Sequence, residues 1–155
     1  MTEQTRAYFD AHFAPEMERL WAKDKEFAER FAEFALNEVV SQNQLDEKTR
    51  FLAILATLLG CQGVDAFRVM LPAALKAGVT PVEAKEVVYQ ATAYLGMGRV
   101  FPFLQATNDV LTQEGVTLPL PPQATTTLEN RREAGTQSQV EIFGEGMQDF
   151  WRSGP

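Results

Sequence analysis

The chain has 155 residues, of which 45% are hydrophobic, and this length and composition are typical of one domain with its own core. Its net charge of −7 and pI of about 4.8 argue against nucleic acid and anionic membranes as partners, because both require lysine and arginine patches. No apolar run reaches the ~20 residues of a membrane span, and the N-terminus lacks a signal-peptide stretch. A single cysteine cannot form an internal disulfide, so we expect a cytoplasmic protein.

An amphipathic helix is predicted from about residue 15 to residue 40. Phe27, Phe31 and Phe34 recur at i, i+4 and i+7, with charged residues between them. We expect this stripe to belong to the core or to a subunit interface. The one histidine, His12, precedes the helix in a polar stretch, and we expect it to be solvated.

Two helices with clear boundaries follow. Asp46 is a predicted N-cap for a helix that ends near Gly60 and has almost no polar face. Because a helix that is apolar all round is buried, we expect it to be the central one. The next helix is predicted from about Asp65 to Lys76, and Pro72 is expected to bend it.

The helix from Thr80 to Leu95 carries the most complete end signals. The Thr80 side chain can accept from the Glu83 amide while the Glu83 side chain accepts in return, which is a capping box. Pro81 suits the first helical position, and Gly96 can close the helix with a positive φ.

The whole chain is interpreted as one all-α domain with a compact multi-helix core. The helical core is assigned to residues 15–114, a proline-containing linker to 115–127, and an apolar docking segment to 128–155. No segment has the alternating period of a β-strand.

Four segments keep one register along the core: residues 49–60, 73–80, 83–87 and 90–96. They contain the turn Gly78-Val-Thr80, the pair Glu86-Val87 and the pattern Tyr94-Leu-Gly96. Together they resemble the carboxymuconolactone decarboxylase family, which includes the alkylhydroperoxidase D-like disulfide reductases. The resemblance implies a small all-α subunit of the alkylhydroperoxidase D-like fold, assembled as a homo-trimer or a homo-hexamer.

A second resemblance lies in the C-terminal segment. Residues 132–135 and 140–144 are similar to the segment that precedes the helical core in the decarboxylase branch. Here they follow the core, so the chain resembles a circular permutant. Such rearrangements are tolerated where the termini lie close together on a surface.

The family's chemistry depends on four positions. Its peroxidase branch uses a Cys-x-x-Cys pair, a histidine four residues later and an upstream glutamate. In register, those positions hold Gly63, Ala66, Met70 and Phe51, none of which supports thiol or proton-relay chemistry. The decarboxylase branch keeps the histidine, and Met70 stands there as well. A peroxiredoxin-type activity is therefore implied by the family alone.

Other polar side chains near the family's pocket are candidate catalytic residues. Asp65 can act as an acid or base, Arg68 can hold a carboxylate, and Tyr94 can donate a hydrogen bond. The alternatives are an N-cap for Asp65, a solvated charge for Arg68, and buried packing groups for Gln90 and Tyr94. Cys61 is a further candidate, because the next helix dipole can activate a thiol; the alternative is a small buried apolar residue.

These residues leave two functions open. No cluster has metal-ligand spacing, and we expect neither a metal nor another cofactor. If the protein is an enzyme, we expect a decarboxylase-like lyase for a small organic acid or lactone. The alternative is a non-catalytic binding or assembly module that kept the fold.

Deletion of residues 128–155 is expected to lower the melting temperature or to dissociate the oligomer. This segment contains Val140, Ile142, Phe143, Met147, Phe150 and Trp151. We expect these side chains to dock on the helical domain of the same or a neighbouring subunit, because about a dozen extended linker residues span roughly 35–40 Å. Truncating one large core side chain typically costs about 3–5 kcal/mol. Calorimetry and light scattering check the prediction; unchanged stability and mass would contradict it.

Overall fold

A computed structural model describes residues 1–13, 18 and 21–153, and it contains helices without any strand in that part of the chain. The all-α class is confirmed. Helices in chain order are α1 (Glu3–His12), α2 (Lys25–Ala32), α3 (Val39–Gln42), α4 (Glu47–Gly60), α5 (Val64–Lys76), α6 (Pro81–Leu95), α7 (Met97–Gln113), α8 (Arg131–Phe143) and α9 (Gly146–Ser153). A π-helical segment, Glu33–Glu38, joins α2 to α3. Of the helix predicted from residue 15, positions 15–17, 19 and 20 lie outside the described residues.

The chain divides into two compact units, Met1–Leu120 and Pro121–Pro155. In the first unit, α4, α5, α6 and α7 pack on one another and α1 packs on α5. In the second unit, α8 packs on α9, and Trp151 Nε1 donates a hydrogen bond to Gln139 Oε1 at 2.8 Å. The docking of residues 128–155 stays a prediction.

The core of the first unit is centred on two aromatic rings. Phe67 of α5 meets Phe103 of α7 edge to face, with centroids 5.3 Å apart, and both are buried. Leu55, Leu71 and Val88 bring α4, α5 and α6 to the same cluster. Burying one such side chain contributes about 1.5–3 kcal/mol, so this cluster is the main source of stability.

The predicted helix ends are confirmed. Asp46 accepts from the Thr49 amide at 2.9 Å as the N-cap of α4. Thr80 and Glu83 form the reciprocal capping box at the start of α6, and Gly96 ends that helix with a φ of 79°. These caps form because each needs only groups within three residues of one another.

The expectation that α4 is buried on all sides is wrong for the single chain. Phe51, Leu55 and Leu59 are buried at i, i+4 and i+8, whereas Ala53 and Ala56 are exposed. The neighbouring helices cover one stripe of α4 completely, and Leu52, Ile54 and Leu58 beside it are only partly buried.

The phenylalanine stripe is not part of the core of the single chain. Phe27, Phe31 and Phe34 are 73%, 51% and 57% exposed, and the rings of Phe27 and Phe31 stack at 6.2 Å. A subunit interface stays a prediction for this stripe.

The expectation that His12 is solvated is wrong. Its side chain is 14% exposed, and its ring stacks on Tyr8 with centroids 4.2 Å apart. The reason is that α1 inserts Phe9 and Phe13 into the core, which brings the end of the helix against α4.

Replacement of Thr80 by alanine is expected to lower the free energy of unfolding by about 1 kcal/mol, because the α6 N-terminus loses its cap. Chemical denaturation measures the change. Thr57→Ala is the control, since that hydroxyl bonds the Ala53 carbonyl inside α4 and caps nothing. Equal losses in the two variants would contradict the prediction.

Candidate functional site

An apolar groove lies between α4 and α6 and encloses about 570 Å³. Its apolar lining comes from both helices: Leu52, Ala56 and Leu59 from α4, and Val87, Ala91 and Leu95 from α6. The polar lining is Glu83, Glu86, Gln90 and Tyr94, all from α6. Steps of three and four residues place these four on one side of the helix.

Glu83 holds one end of the groove in place. Its carboxylate contacts Lys48 of α4 at 2.7 Å and accepts from the Thr80 amide at 2.8 Å. The contact with Lys48, followed by the bonds from Thr80, lowers the pKa of Glu83 to about 2. Glu83 is therefore an anion at neutral pH and has a structural role rather than an acid–base role.

The middle of the groove carries a hydrogen-bonded polar pair. Gln90 Nε2 donates to Glu86 Oε2 at 3.3 Å. Tyr94 lies one turn further along and is 87% exposed. Of the two readings left open for Gln90 and Tyr94, buried packing is wrong, because α6 turns Ala84 and Val88 to the core instead.

Arg68 and Asp65 do not line the groove. Arg68 Nη1 donates to Asp109 Oδ2 at 2.9 Å, which ties α5 to α7. Both side chains are partly exposed, and such pairs contribute little to stability. Asp65 is exposed in the first turn of α5, and the N-cap position expected for it is occupied by Gly63.

Cys61 also lies outside the groove lining. It follows α4, is exposed, and its Sγ donates to the Leu58 carbonyl at 3.5 Å. The expectation of a buried apolar cysteine is wrong, because the turn between α4 and α5 carries it to the surface. The structure thus brings Tyr94 and Gln90 together and leaves Cys61, Asp65 and Arg68 elsewhere.

Two groove features were missed in the sequence. Glu86 is not among the candidate catalytic residues of the sequence, although its side chain lines the groove. Lys48 gave no signal, because its partner Glu83 lies 35 positions away. Only a periodic polar face on α6 could have pointed to this site.

Two other kinds of site are absent from the described residues. No group of three His, Cys, Asp or Glu side chains there is placed to hold a metal ion. No helix in that part of the chain is both long and apolar enough to cross a membrane.

Glu83→Gln is expected to destabilise the protein most at neutral pH, on the order of 1 kcal/mol after allowance for solvent screening. The folded pKa of Glu83 lies below the ordinary 4.5, so its contribution is present above about pH 4.5 and is lost as the pH falls through about 2. Denaturation of both proteins between pH 2 and 7 measures this difference. Glu86→Gln is the control on the same helix; a Glu83→Gln effect that does not shrink in acid would contradict the prediction.

Two comparisons identify the family. Residues 25–109, which include the groove, match the sequence pattern of the "Carboxymuconolactone decarboxylase family". The chain is also 31% identical over 94 residues to a 4-carboxymuconolactone decarboxylase of Acinetobacter baylyi, across 61% of this chain and 70% of that protein. The chain therefore belongs to the carboxymuconolactone decarboxylase family.

Proposed function

We propose that this protein acts as a decarboxylase-like lyase on a small organic acid or lactone bound in the α4–α6 groove. The observation that carries the proposal is an apolar floor with polar side chains on one face, inside the region that matches the family. Ligand sites of small molecules commonly have this composition. The name of the similar protein from Acinetobacter baylyi indicates a carboxylated lactone as the substrate of that protein.

The charge of the groove favours a substrate whose lactone ring lies between the two helices and whose carboxylate stays at the solvent edge. Glu83 and Glu86 both line the groove, and Glu83 is held as an anion. A carboxylate between them would meet like charge, whereas a lactone ring can bury its apolar atoms against Leu52 and Ala91.

The chemistry is assigned to Tyr94 and Glu86. In the decarboxylation, the bond between the substrate carboxylate and its ring carbon breaks, carbon dioxide leaves, and the electron pair moves into the ring towards the lactone carbonyl, whose oxygen can accept a hydrogen bond from the Tyr94 hydroxyl. A carbon of the ring then takes up a proton, which the Glu86 carboxyl group can relay from water. Arg68, Asp65 and Cys61 are not placed in this proposal, because they do not line the groove.

Thiol-dependent peroxidase activity is not part of the proposed function. The resemblance puts Gly63 and Ala66 where the peroxidase branch has its cysteines, and the chain has one cysteine, Cys61. A resolving thiol within the same chain is therefore missing. Hydroperoxide consumption with thiol recycling that disappears in Cys61→Ser would contradict this assignment.

A second candidate function, a non-catalytic assembly module, is favoured by the exposed stripe of Phe27, Phe31 and Phe34. Large exposed apolar patches mark interaction sites. A trimer or hexamer in light scattering, without lactone binding, would favour this candidate over the enzyme.

Nuclear magnetic resonance titration with five-membered lactones, with and without a carboxylate, tests the groove. We expect shifts on α4 and α6 and at least tenfold weaker binding in Ala91→Trp, which fills the groove. Tyr94→Phe is expected to reduce turnover about 10²-fold or more, as for loss of a general acid. Tyr89→Phe is the matched control, since Tyr89 is exposed on the same helix and packs near Lys85. Shifts confined to other helices would contradict the proposal.

A further inference from the structure

The end of α1 and the start of α4 meet in a compact polar cluster of His12, Tyr8, Glu47 and Arg50. His12 Nδ1 lies 3.0 Å from the Tyr8 carbonyl oxygen, and His12 Nε2 lies 3.2 Å from Glu47 Oε1. Arg50 Nη2 donates to the Tyr8 hydroxyl at 2.8 Å and to Glu47 Oε1 at 3.3 Å. The His12 ring also faces Phe51 of α4, with centroids 6.0 Å apart.

The partners of the two ring nitrogens determine which form of His12 fits this geometry. A carbonyl oxygen and a carboxylate oxygen are both acceptors, so each nitrogen must donate. Either neutral tautomer leaves one nitrogen lone pair against an oxygen lone pair. The imidazolium form alone satisfies both contacts.

Other charges around the ring do not remove this requirement. Arg50 is a cation and opposes a second positive charge, but the Glu47 carboxylate contacts both cations. Tyr8 stays neutral, because burial, and then a hydrogen bond to Glu47, raise the pKa of its hydroxyl.

We propose that His12 acts as a proton-dependent latch, which in its imidazolium form fastens α1 to α4 by bridging the Tyr8 carbonyl and the Glu47 carboxylate. The latch controls a helix that reaches the core, because Phe9 of α1 and Phe13 directly after it are buried there. Each neutral tautomer of His12 loses one of the two contacts, so the latch is weaker in the neutral form.

The other end of α1 is held by a different carboxylate, Glu33. There Glu33 accepts bonds from the Thr2 amide and from Thr5 Oγ1, the latter at 2.9 Å. The Thr2 amide is the main cause of a Glu33 pKa lowered to about 2, so this contact persists from about pH 4.5 upward. The Met1 ammonium lies 4.0 Å from Glu33 Oε1 at this end, so the comparison with a His12 variant isolates the part of any change in α1 that depends on His12.

Hydrogen exchange of the intact protein and of His12→Gln at pH 5.5 and pH 8 tests the latch. After correction for intrinsic exchange rates, the α1 amides of the native protein should exchange about tenfold more slowly than those of His12→Gln at pH 5.5. At pH 8 the two proteins should differ by less than about twofold. Amides of α6 should be unaffected. In Glu47→Gln, the protection of the α1 amides should no longer change between pH 5.5 and pH 8. Glu86→Gln, which removes the same charge elsewhere, should retain that change.

Because the chain has one histidine, the nitrogen shifts of its ring report on His12 without any substitution. At pH 5.5 they should show a ring protonated on both nitrogens and hydrogen-bonded through both. A neutral tautomer at that pH would overturn the proposal, as would equal protection of α1 at the two pH values.

Discussion

The contact between Phe67 and Phe103 lies at the centre of the core on which the four helices α4 to α7 pack. It packs α5 on α7, and both rings are buried. With these two helices in place, α4 and α6 cover the remaining sides of the cluster through Leu55 and Val88. Because α4 and α6 also touch each other, the groove between them follows from how this core is packed.

Helix α6 separates stability from binding by its two faces. Ala84 and Val88 are buried against the core, while Gln90 and Tyr94 face the groove and solvent. Glu83 contributes to helix stability and also to the groove, because it caps α6 and forms an ion pair with Lys48 of α4 at the groove end. The ion pair and the capping box fix this end of the groove. Fixing a site before binding generally lowers the cost of ordering it around a ligand.

Family membership leaves the chemistry open, because one fold can carry different sites. The comparisons identify the decarboxylase family, and the groove offers oxygen and amide groups rather than paired thiols. His12 illustrates the point further. The one histidine of the chain lies with Glu47 and Arg50 at the end of α1, where it joins two helices, and it does not line the groove.

Local signals were sufficient for α4, α5 and α6 and for the caps of α4 and α6, whereas α1 was not predicted. The Asp46 cap, the box of Thr80 and Glu83, and the positive φ of Gly96 all depend on neighbours within one turn, so their residue types predicted them. The family resemblance likewise needed only residues in register.

Tertiary structure decided which side chains are covered and which charges meet. Periodicity marks an apolar stripe, but it cannot say whether another helix covers it, as the exposure of Phe27 shows. Glu83, which pairs with Lys48, and Glu47, which pairs with His12, each lie 35 positions from their partner. Such contacts exist only after the helices have packed.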